Sequence, residues 1–139
     1  MSYSEKAIEY EFKDFQKRWP NMFKKVYCGF NLPRGWNTVV WKLCDRLESL
    51  GCEEPDVFQV AQVKEKFGGL RFYYGFDKEV DNETRASART YVEFSESMSF
   101  YVCQTCGTTI DVCFTSDNAW YNTRCTPCRS QSKKYHISF

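Results

Sequence analysis

Four of the eight cysteines stand in two CxxC pairs near the C-terminal end of the sequence. Cys103 and Cys106 form the first pair, and Cys125 and Cys128 form the second, with eighteen residues between the pairs. The thiolates of one CxxC turn can meet the same ion at about 2.3 Å, and a second pair completes a tetrahedron. Two such pairs with a spacer of about 15–20 residues are typical of zinc sites. The spacing therefore predicts one structural zinc ion bound by all four cysteines.

The same four cysteines could in principle bind iron, form disulfides, act as a redox motif or hold a catalytic zinc ion. Iron bound by four thiolates uses the same ligands and stays open as the second candidate. Two local disulfides are disfavoured in a reducing cytosol. A redox CxxC needs a strand-to-helix setting, whereas Gly107 indicates a turn after the first pair. A catalytic zinc is not expected, because four cysteines leave no position for water. A nucleobase deaminase would need an H-x-E motif, and the single histidine is His136 in the tail.

The spacer between the pairs predicts a two-stranded ribbon. Residues 108–114 are typical of one strand, residues 115–118 of a turn, and residues 119–122 of the returning strand. Zn(Cys)4 carries a formal charge of about −2, which Arg124 and Arg129 could offset. The four remaining cysteines are expected to be small buried apolar residues: Cys28, Cys44, Cys52 and Cys113.

Apolar spacing predicts two helices in the first half of the chain. In residues 4–18, Ile8, Phe12 and Phe15 recur at intervals of three and four, which marks one face of a helix. Residues 36–50 form the clearer helix, and Gly51 supplies its stop signal. Its apolar stripe has seven members: Trp36, Val39, Val40, Leu43, Cys44, Leu47 and Leu50.

The periodicity then changes from helix to strand. Residues 57–63 and 70–74 are rich in β-branched and aromatic side chains, and a Gly68-Gly69 turn with positive φ lies between them. A β-hairpin over 57–76 follows, and residues 79–98 predict a third helix. Together the elements predict an α+β fold in which helices pack a small sheet, with an appended C-terminal zinc-ribbon hairpin.

The predicted organisation is a single domain. Residues 1–100 form the α+β unit, residues 101–130 the ribbon integral to it, and residues 131–139 a basic tail. Nineteen cationic and eighteen anionic side chains leave a net charge of +1, so no global field steers the protein to nucleic acid. The sequence contains no apolar run of membrane-spanning length, and its first residues lack the apolar centre of a signal peptide. We therefore expect a cytoplasmic protein with no membrane partner.

The predicted hairpin offers a candidate binding face. Strand alternation gives it one polar set of side chains: Gln62, Lys64, Lys66, Arg71 and Tyr73. The opposite set is apolar and is expected to face the core: Val63, Phe67, Leu70 and Phe72. Three cations beside a tyrosine suit a phosphate-bearing ligand or an acidic partner surface. An ordinary solvated sheet face is the alternative.

Several of these motifs together resemble a known group of proteins. Gly35-Trp36 opens a helix, the segment QVKEKFGGLRFY runs from Gln62 to Tyr73, and CxxCG, a tryptophan strand and CxxC follow. This combination is similar to an uncharacterised family of small proteins from tailed phages and prophages, over roughly residues 20 to 130. The resemblance implies a viral source, a bound zinc ion and action in the host cytoplasm, but no particular activity.

The absence of known catalytic motifs limits the classes of function that the sequence suggests. The sequence has no P-loop, no Ser–His or Cys–His pair and no carboxylate cluster suited to two metals, so we expect a protein that binds rather than catalyses. The leading hypothesis is a zinc-binding phage accessory protein whose partner is a host cytosolic protein, such as a defence component. The alternative is capture of a nucleotide or nucleic acid through the hairpin face. An enzyme with unrecognised catalytic residues is the third hypothesis.

Overall fold

The computed structural model describes residues 9–117 and 120–130. Within these residues the main helices and strands follow this order: α1 (Phe12–Arg18), β1 (Gly29–Phe30), α2 (Asn37–Ser49), β2 (Phe58–Lys66), β3 (Gly69–Phe76), α3 (Asn82–Met98), β4 (Val112–Asp117) and β5 (Trp120–Cys125). Short 3-10 turns precede α2 and follow α3. The predicted α+β class is confirmed, with small sheets packed by helices and a cysteine-bearing hairpin near the C-terminus. The predicted basic tail lies outside the described residues.

The main sheet has three strands in the order β1-β2-β3. Strands β2 and β3 form the predicted antiparallel hairpin, in which Gln62 lies opposite Tyr73 and Lys64 opposite Arg71. Strand β1 runs parallel to β2 and was not predicted. It has only two residues, one of them Gly29, so its sequence is typical of a loop and its pairing with β2 alone makes it a strand.

The turn of the hairpin differs from the prediction by one residue. Phe67 and Gly68 are its central residues, with φ of 55° and 82°, and Gly69 already belongs to β3. A two-residue turn of type I′ requires positive φ at both central positions. Phe67 therefore leaves the strand alternation and is 59% exposed, so the prediction that it faces the core with Val63 is wrong.

The core lies between the hairpin, the helices α2 and α3, and the segment from α1 to the turn after it, which contributes Phe15, Trp19, Met22 and Phe23. The helix predicted over 36–50 is confirmed as α2, and most of its apolar stripe is fully buried: Trp36, Val40, Leu43, Cys44 and Leu47. The hairpin contributes Val63, Leu70 and Phe72 from one face, and α3 contributes Ala88 and Val92. The opposite face of the hairpin, which carries the cations, is directed away from this core.

Helix α1 is shorter than predicted. Residues 9–11 are not helical, and the helix begins at Phe12 after a capping box in which the Asp14 carboxylate accepts a hydrogen bond from the Glu11 amide at 2.8 Å. This local hydrogen bonding satisfies the first amides and sets the start of the helix. Ile8, predicted for the apolar face, lies outside the described residues. Of the helices in the described part of the chain, none combines the length and apolarity needed to cross a bilayer.

The end of α3 protects the outer edge of β3. The Leu70 amide donates to the Ser99 hydroxyl and the Phe72 amide donates to the Glu96 carboxylate, both at 2.9 Å. Side chains thus take the place of a further strand, which limits pairing with other chains at this edge. Burial raises the pKa of Glu96, and the Phe72 hydrogen bond and the charge of Arg71 lower it in part.

We expect Leu43→Ala to destabilise the protein by about 2–5 kcal/mol, because Leu43 is 2% exposed and its truncation leaves a cavity. The neighbouring exposed residue supplies the control, since Lys42→Ala should change stability by less than about 0.5 kcal/mol. Urea denaturation of both variants measures the difference. Equal midpoints would mean that the packing face of α2 has been assigned incorrectly.

Candidate metal centre

The first CxxC pair lies in a tight turn after α3. Gly107 has a φ of +86°, and its amide donates to the Cys103 carbonyl at 2.9 Å. The Cys106 amide points at the Cys103 sulfur, 3.5 Å away. Glycine at position 107 thus permits the turn that directs backbone amides at sulfur, as the sequence predicted.

The second pair follows the returning strand of the ribbon. Strand β5 ends at Cys125, directly opposite Val112, and residues 126–130 form a helical turn that contains Cys128. The β4–β5 hairpin thereby brings both CxxC pairs to the same end of the ribbon. All four sulfur atoms lie within 4.8 Å of one another, and those of Cys106 and Cys125 are 3.7 Å apart. A tetrahedron with bonds of 2.3 Å needs sulfur–sulfur distances of about 3.8 Å. The four cysteines therefore form a group that can hold a metal ion.

The electrostatics of the four thiols favour a cation among them. Burial opposes ionisation of Cys103, but hydrogen bonds from backbone amides, that of Cys106 first, lower its pKa to about 6. Burial raises the pKa of Cys106, and the neighbouring sulfurs of Cys125 and Cys103 raise it further. The same causes raise the pKa of Cys128. One thiolate forms readily, whereas several together require a compensating positive charge.

The ribbon strands are displaced from the predicted positions. Strand β4 spans Val112–Asp117 rather than 108–114, because Asp111 has a positive φ of 55° and the chain before it is irregular. Strand β5 spans Trp120–Cys125 and so reaches the second CxxC pair directly. Residues 118 and 119, which belong to the predicted turn and the start of the returning strand, lie outside the described residues.

The other four cysteines divide into two groups. Cys44 and Cys52 are buried as predicted, whereas Cys28 and Cys113 are exposed, so the prediction is wrong for these two. Cys28 belongs to the loop before β1. Cys113 points away from the domain, because a two-stranded ribbon can bury only one of its faces. Near the second CxxC pair, the Arg129 guanidinium donates to the Thr126 hydroxyl at 3.2 Å.

Gly35 and Trp36 hold the first CxxC turn against the domain. The Gly35 amide donates to the Gln104 carbonyl at 2.9 Å, and the Trp36 indole donates to the Val102 carbonyl at 2.8 Å. A Cβ atom at position 35 would overlap the Cys103 carbonyl oxygen and lie 2.7 Å from the Gln104 carbonyl carbon. The Gly35-Trp36 motif therefore connects the start of α2 to the first CxxC turn.

Thr123 makes a second contact that sequence reasoning missed. Its side chain is fully buried, and its hydroxyl donates to the Gly68 carbonyl at 2.6 Å. Its amide donates to the Gln104 side chain at 2.8 Å, and its carbonyl accepts from the Gln104 amide at 2.9 Å. One threonine thus joins β5, the CxxC turn and the tip of the β2–β3 hairpin. A threonine within a strand carries no sequence signal of such a role.

The residues of the predicted binding face lie where alternation placed them. The paired residues Lys64 and Arg71 share one face of the sheet with Gln62, Lys66 and Tyr73. Gln62 already has an internal partner, since its side-chain amide donates to the Cys28 carbonyl at 3.1 Å. Within the described ranges, none of the three cations has a carboxylate within 4.0 Å. We refer to these five residues as the basic face.

A group of exposed rings at the hairpin tip was not predicted. Phe114 stacks on Tyr121 with ring centroids 5.6 Å apart, and Phe100 and Phe67 meet this pair edge-on at 5.3 and 6.0 Å. The exposed fractions of the four side chains range from 37% for Tyr121 to 59% for Phe67. They come from three segments of the chain, namely the β2–β3 turn, the end of α3 and the ribbon, so only the high aromatic content hinted at them. We refer to these four rings as the aromatic cluster.

No protein-family model, curated protein or solved structure matches this chain. The functional assignment therefore depends on the geometry of the cysteine group, the basic face and the aromatic cluster.

We expect Gly35→Ala to destabilise the protein by about 1–3 kcal/mol, because the added methyl would displace the backbone of the first CxxC turn. Gly75→Ala is the matched control, since a Cβ atom at position 75 meets nothing within 4 Å. Thermal unfolding measures stability, and hydrogen exchange should show faster exchange of residues 102–107 in the Gly35 variant only. Equal exchange in both variants would show that the turn does not depend on this contact.

Proposed function

We propose that the four cysteines bind one zinc ion and that its role is structural. Four soft sulfur donors in a small tetrahedral group suit Zn²⁺, with iron as the competing metal. The low pKa of Cys103 supports binding at neutral pH, because the ligand must be a thiolate. The ion cross-links the first CxxC turn to the end of β5. It leaves no coordination position for water, and this supports a structural role.

We expect one zinc per chain, measurable by elemental analysis, with X-ray absorption showing sulfur ligands only. Cys106→Ser should lose the metal and unfold the ribbon, because metal binding supplies folding free energy of about 10 kcal/mol in small zinc domains. Cys113→Ser is the control, since Cys113 is an exposed cysteine of the same ribbon outside the group. Iron in place of zinc, or oxygen and nitrogen ligands, would contradict the assignment.

We further propose that the protein acts by binding a host cytosolic protein, with defence components as a candidate class. Support comes from the pairing of Lys64 with Arg71. Like charges directly opposite each other destabilise a strand pair. Lys66 adds a third cation to the same face. A surface that keeps this repulsion is suited to an anionic partner, which would relieve it. The choice of a host partner follows from the resemblance of the sequence motifs to phage proteins, which stays a prediction.

Capture of a nucleotide or nucleic acid is the second candidate for the same face. Tyr73 favours it, because this ring is 40% exposed on the face that also carries Arg71. An exposed ring beside a cation can stack on a base while the cation contacts phosphate. The net charge of +1 favours a single nucleotide over a long strand, since binding to a long strand depends on many phosphate contacts.

We expect the Lys64→Glu/Arg71→Glu variant to keep its zinc and its melting temperature while losing its partner in affinity capture from host lysate. Lys64 and Arg71 are half-buried and, within the described ranges, have no carboxylate within 4.0 Å, so we expect their charges to contribute about 1 kcal/mol or less to folding. Charge-assisted contacts to a partner contribute about 1.5–3 kcal/mol each. Mass spectrometry of the captured proteins and small molecules identifies the partner class and separates the two candidates.

Lys42→Glu/Arg46→Glu is the matched control for this variant. It makes the same change of charge on exposed residues of α2, away from the basic face. The control should capture the same partner as the unaltered protein. If the Lys64/Arg71 variant unfolds, these residues are structural. If it folds and retains the partner at unchanged affinity, the basic face is not the binding surface.

A further inference from the structure

The aromatic cluster and the basic face adjoin each other. Gly69, Arg71 and Tyr73 point to the same face of β3 by strand alternation. A Cβ atom at Gly69 would overlap the tip of the Phe100 ring and lie 2.9 Å from its Cε2 atom, so this ring covers the face at that point. Lys66 is directly opposite Gly69 in the register. The aromatic cluster therefore begins where the row of cations ends.

Lys66 also links the two surfaces on the other side of the turn. Its ammonium group lies 5.5 Å from the centroid of the Phe67 ring, within the range of a cation–π contact. Phe67 in turn meets Tyr121 of the ribbon edge-on. Cations and rings thus form one continuous surface across the sheet, the hairpin tip and the ribbon.

The packing of the rings indicates what this surface can bind. Phe114 and Tyr121 are almost parallel, at 8°, and form an offset stack with their centroids 5.6 Å apart. Phe100 packs on the backbone at Gly69 and meets Phe114 at an interplanar angle of 80°. Successive bases of a nucleic acid need separate rings with open faces on which to stack. Rings packed on one another form instead a continuous apolar surface, which suits aliphatic and aromatic side chains.

Because aromatic residues and arginine dominate the energetics of protein interfaces, we propose that the aromatic cluster and the basic face together bind a protein segment with apolar anchor residues flanked by carboxylates. The anchors contact the rings, and the carboxylates contact Lys64, Lys66 and Arg71. This inference rests on the proposed function, because it names the chemistry of the partner that the basic face binds. The charge complementarity is local, since the net charge of the chain is only +1.

Selection of random displayed peptides on the zinc-loaded full chain tests the inference. Enriched peptides should combine Asp or Glu with Leu, Phe, Trp or Met. An enriched peptide is then synthesised and its affinity is measured by fluorescence anisotropy. The Phe67→Asn/Tyr121→Thr variant should bind it about tenfold more weakly or worse. Asparagine suits the positive φ of position 67 and threonine suits a strand, so the variant should keep its zinc and its fold, with a melting temperature lowered only by the lost ring contacts.

Phe94→Ala is the control, because Phe94 is a 66% exposed ring on α3 outside the cluster, and its removal should leave peptide affinity unchanged. If the double variant melts early, Phe67→Asn alone is measured, and it must still weaken binding for the inference to stand. Enriched peptides without acidic and apolar residues would overturn the inference. So would tight binding of oligothymidylate that the ring variant abolishes, or a dimer of this chain that the same variant dissociates.

The charge variant separates failure of this inference from failure of the proposed function. If Lys64→Glu/Arg71→Glu abolishes peptide binding while Phe67→Asn/Tyr121→Thr leaves it unchanged, the basic face binds without the rings. That result overturns the inference and leaves the proposed function intact. If neither variant changes affinity for the selected peptide, both the inference and the proposed binding face are wrong.

Discussion

The contact between Gly35 and the first CxxC turn is the constraint on which the arrangement of the C-terminal half depends. The Gly35 amide donates to Gln104, and the absence of a side chain lets the two backbones meet where any Cβ would overlap the Cys103 carbonyl. Trp36 extends the contact, because its indole lies in the core while its N–H reaches the Val102 carbonyl. The start of the central helix therefore sets the position of the cysteine turn. A two-stranded ribbon is marginally stable alone, and here the domain core supports it at one end.

The cysteine group and the docking contacts stabilise the same element from two sides. The group joins the CxxC turn to the end of β5, and Thr123 joins β5 to the hairpin turn through its hydroxyl bond to Gly68. Because Gln104 bonds to both Gly35 and Thr123, a shift of the ribbon would break several buried hydrogen bonds together. Leaving such groups unpaired costs about 1–3 kcal/mol each. The ribbon should therefore hold one position relative to the sheet. The aromatic cluster depends on this, because two of its rings belong to the ribbon.

Features that depend on local periodicity could be predicted from the sequence, and those that depend on distant contacts could not. Helix α2, the β2–β3 hairpin and the four metal-site cysteines follow from spacing alone. Strand β1 exists only through pairing with β2, so its two residues carry no signal. The exposure of Phe67 follows from a turn displaced by one residue, and that of Cys113 from the single buried face of a ribbon. Thr123 and Gly35 have their roles because of partners far away in the chain. The aromatic cluster stayed hidden for the same reason, since its rings come from three separate segments: the β2–β3 turn, the end of α3 and the ribbon.

If the proposed metal site and binding surface are both correct, the aromatic cluster makes binding depend on the metal without any chemistry at the metal. Phe114 and Tyr121 belong to the ribbon, whereas Phe67 and Phe100 belong to the hairpin turn and the end of α3. The rings meet only while the ribbon is docked, and in the proposed function the metal ion closes the cysteine turn on which docking depends. Loss of the metal would leave the cations of the basic face in place, because β2 and β3 are held by the core and by α3. A metal-free chain should therefore retain its charge-dependent, salt-sensitive contacts and lose the apolar ones. Comparing partner binding by the metal-loaded and metal-free chains would therefore distinguish the contribution of the aromatic cluster from that of the basic face.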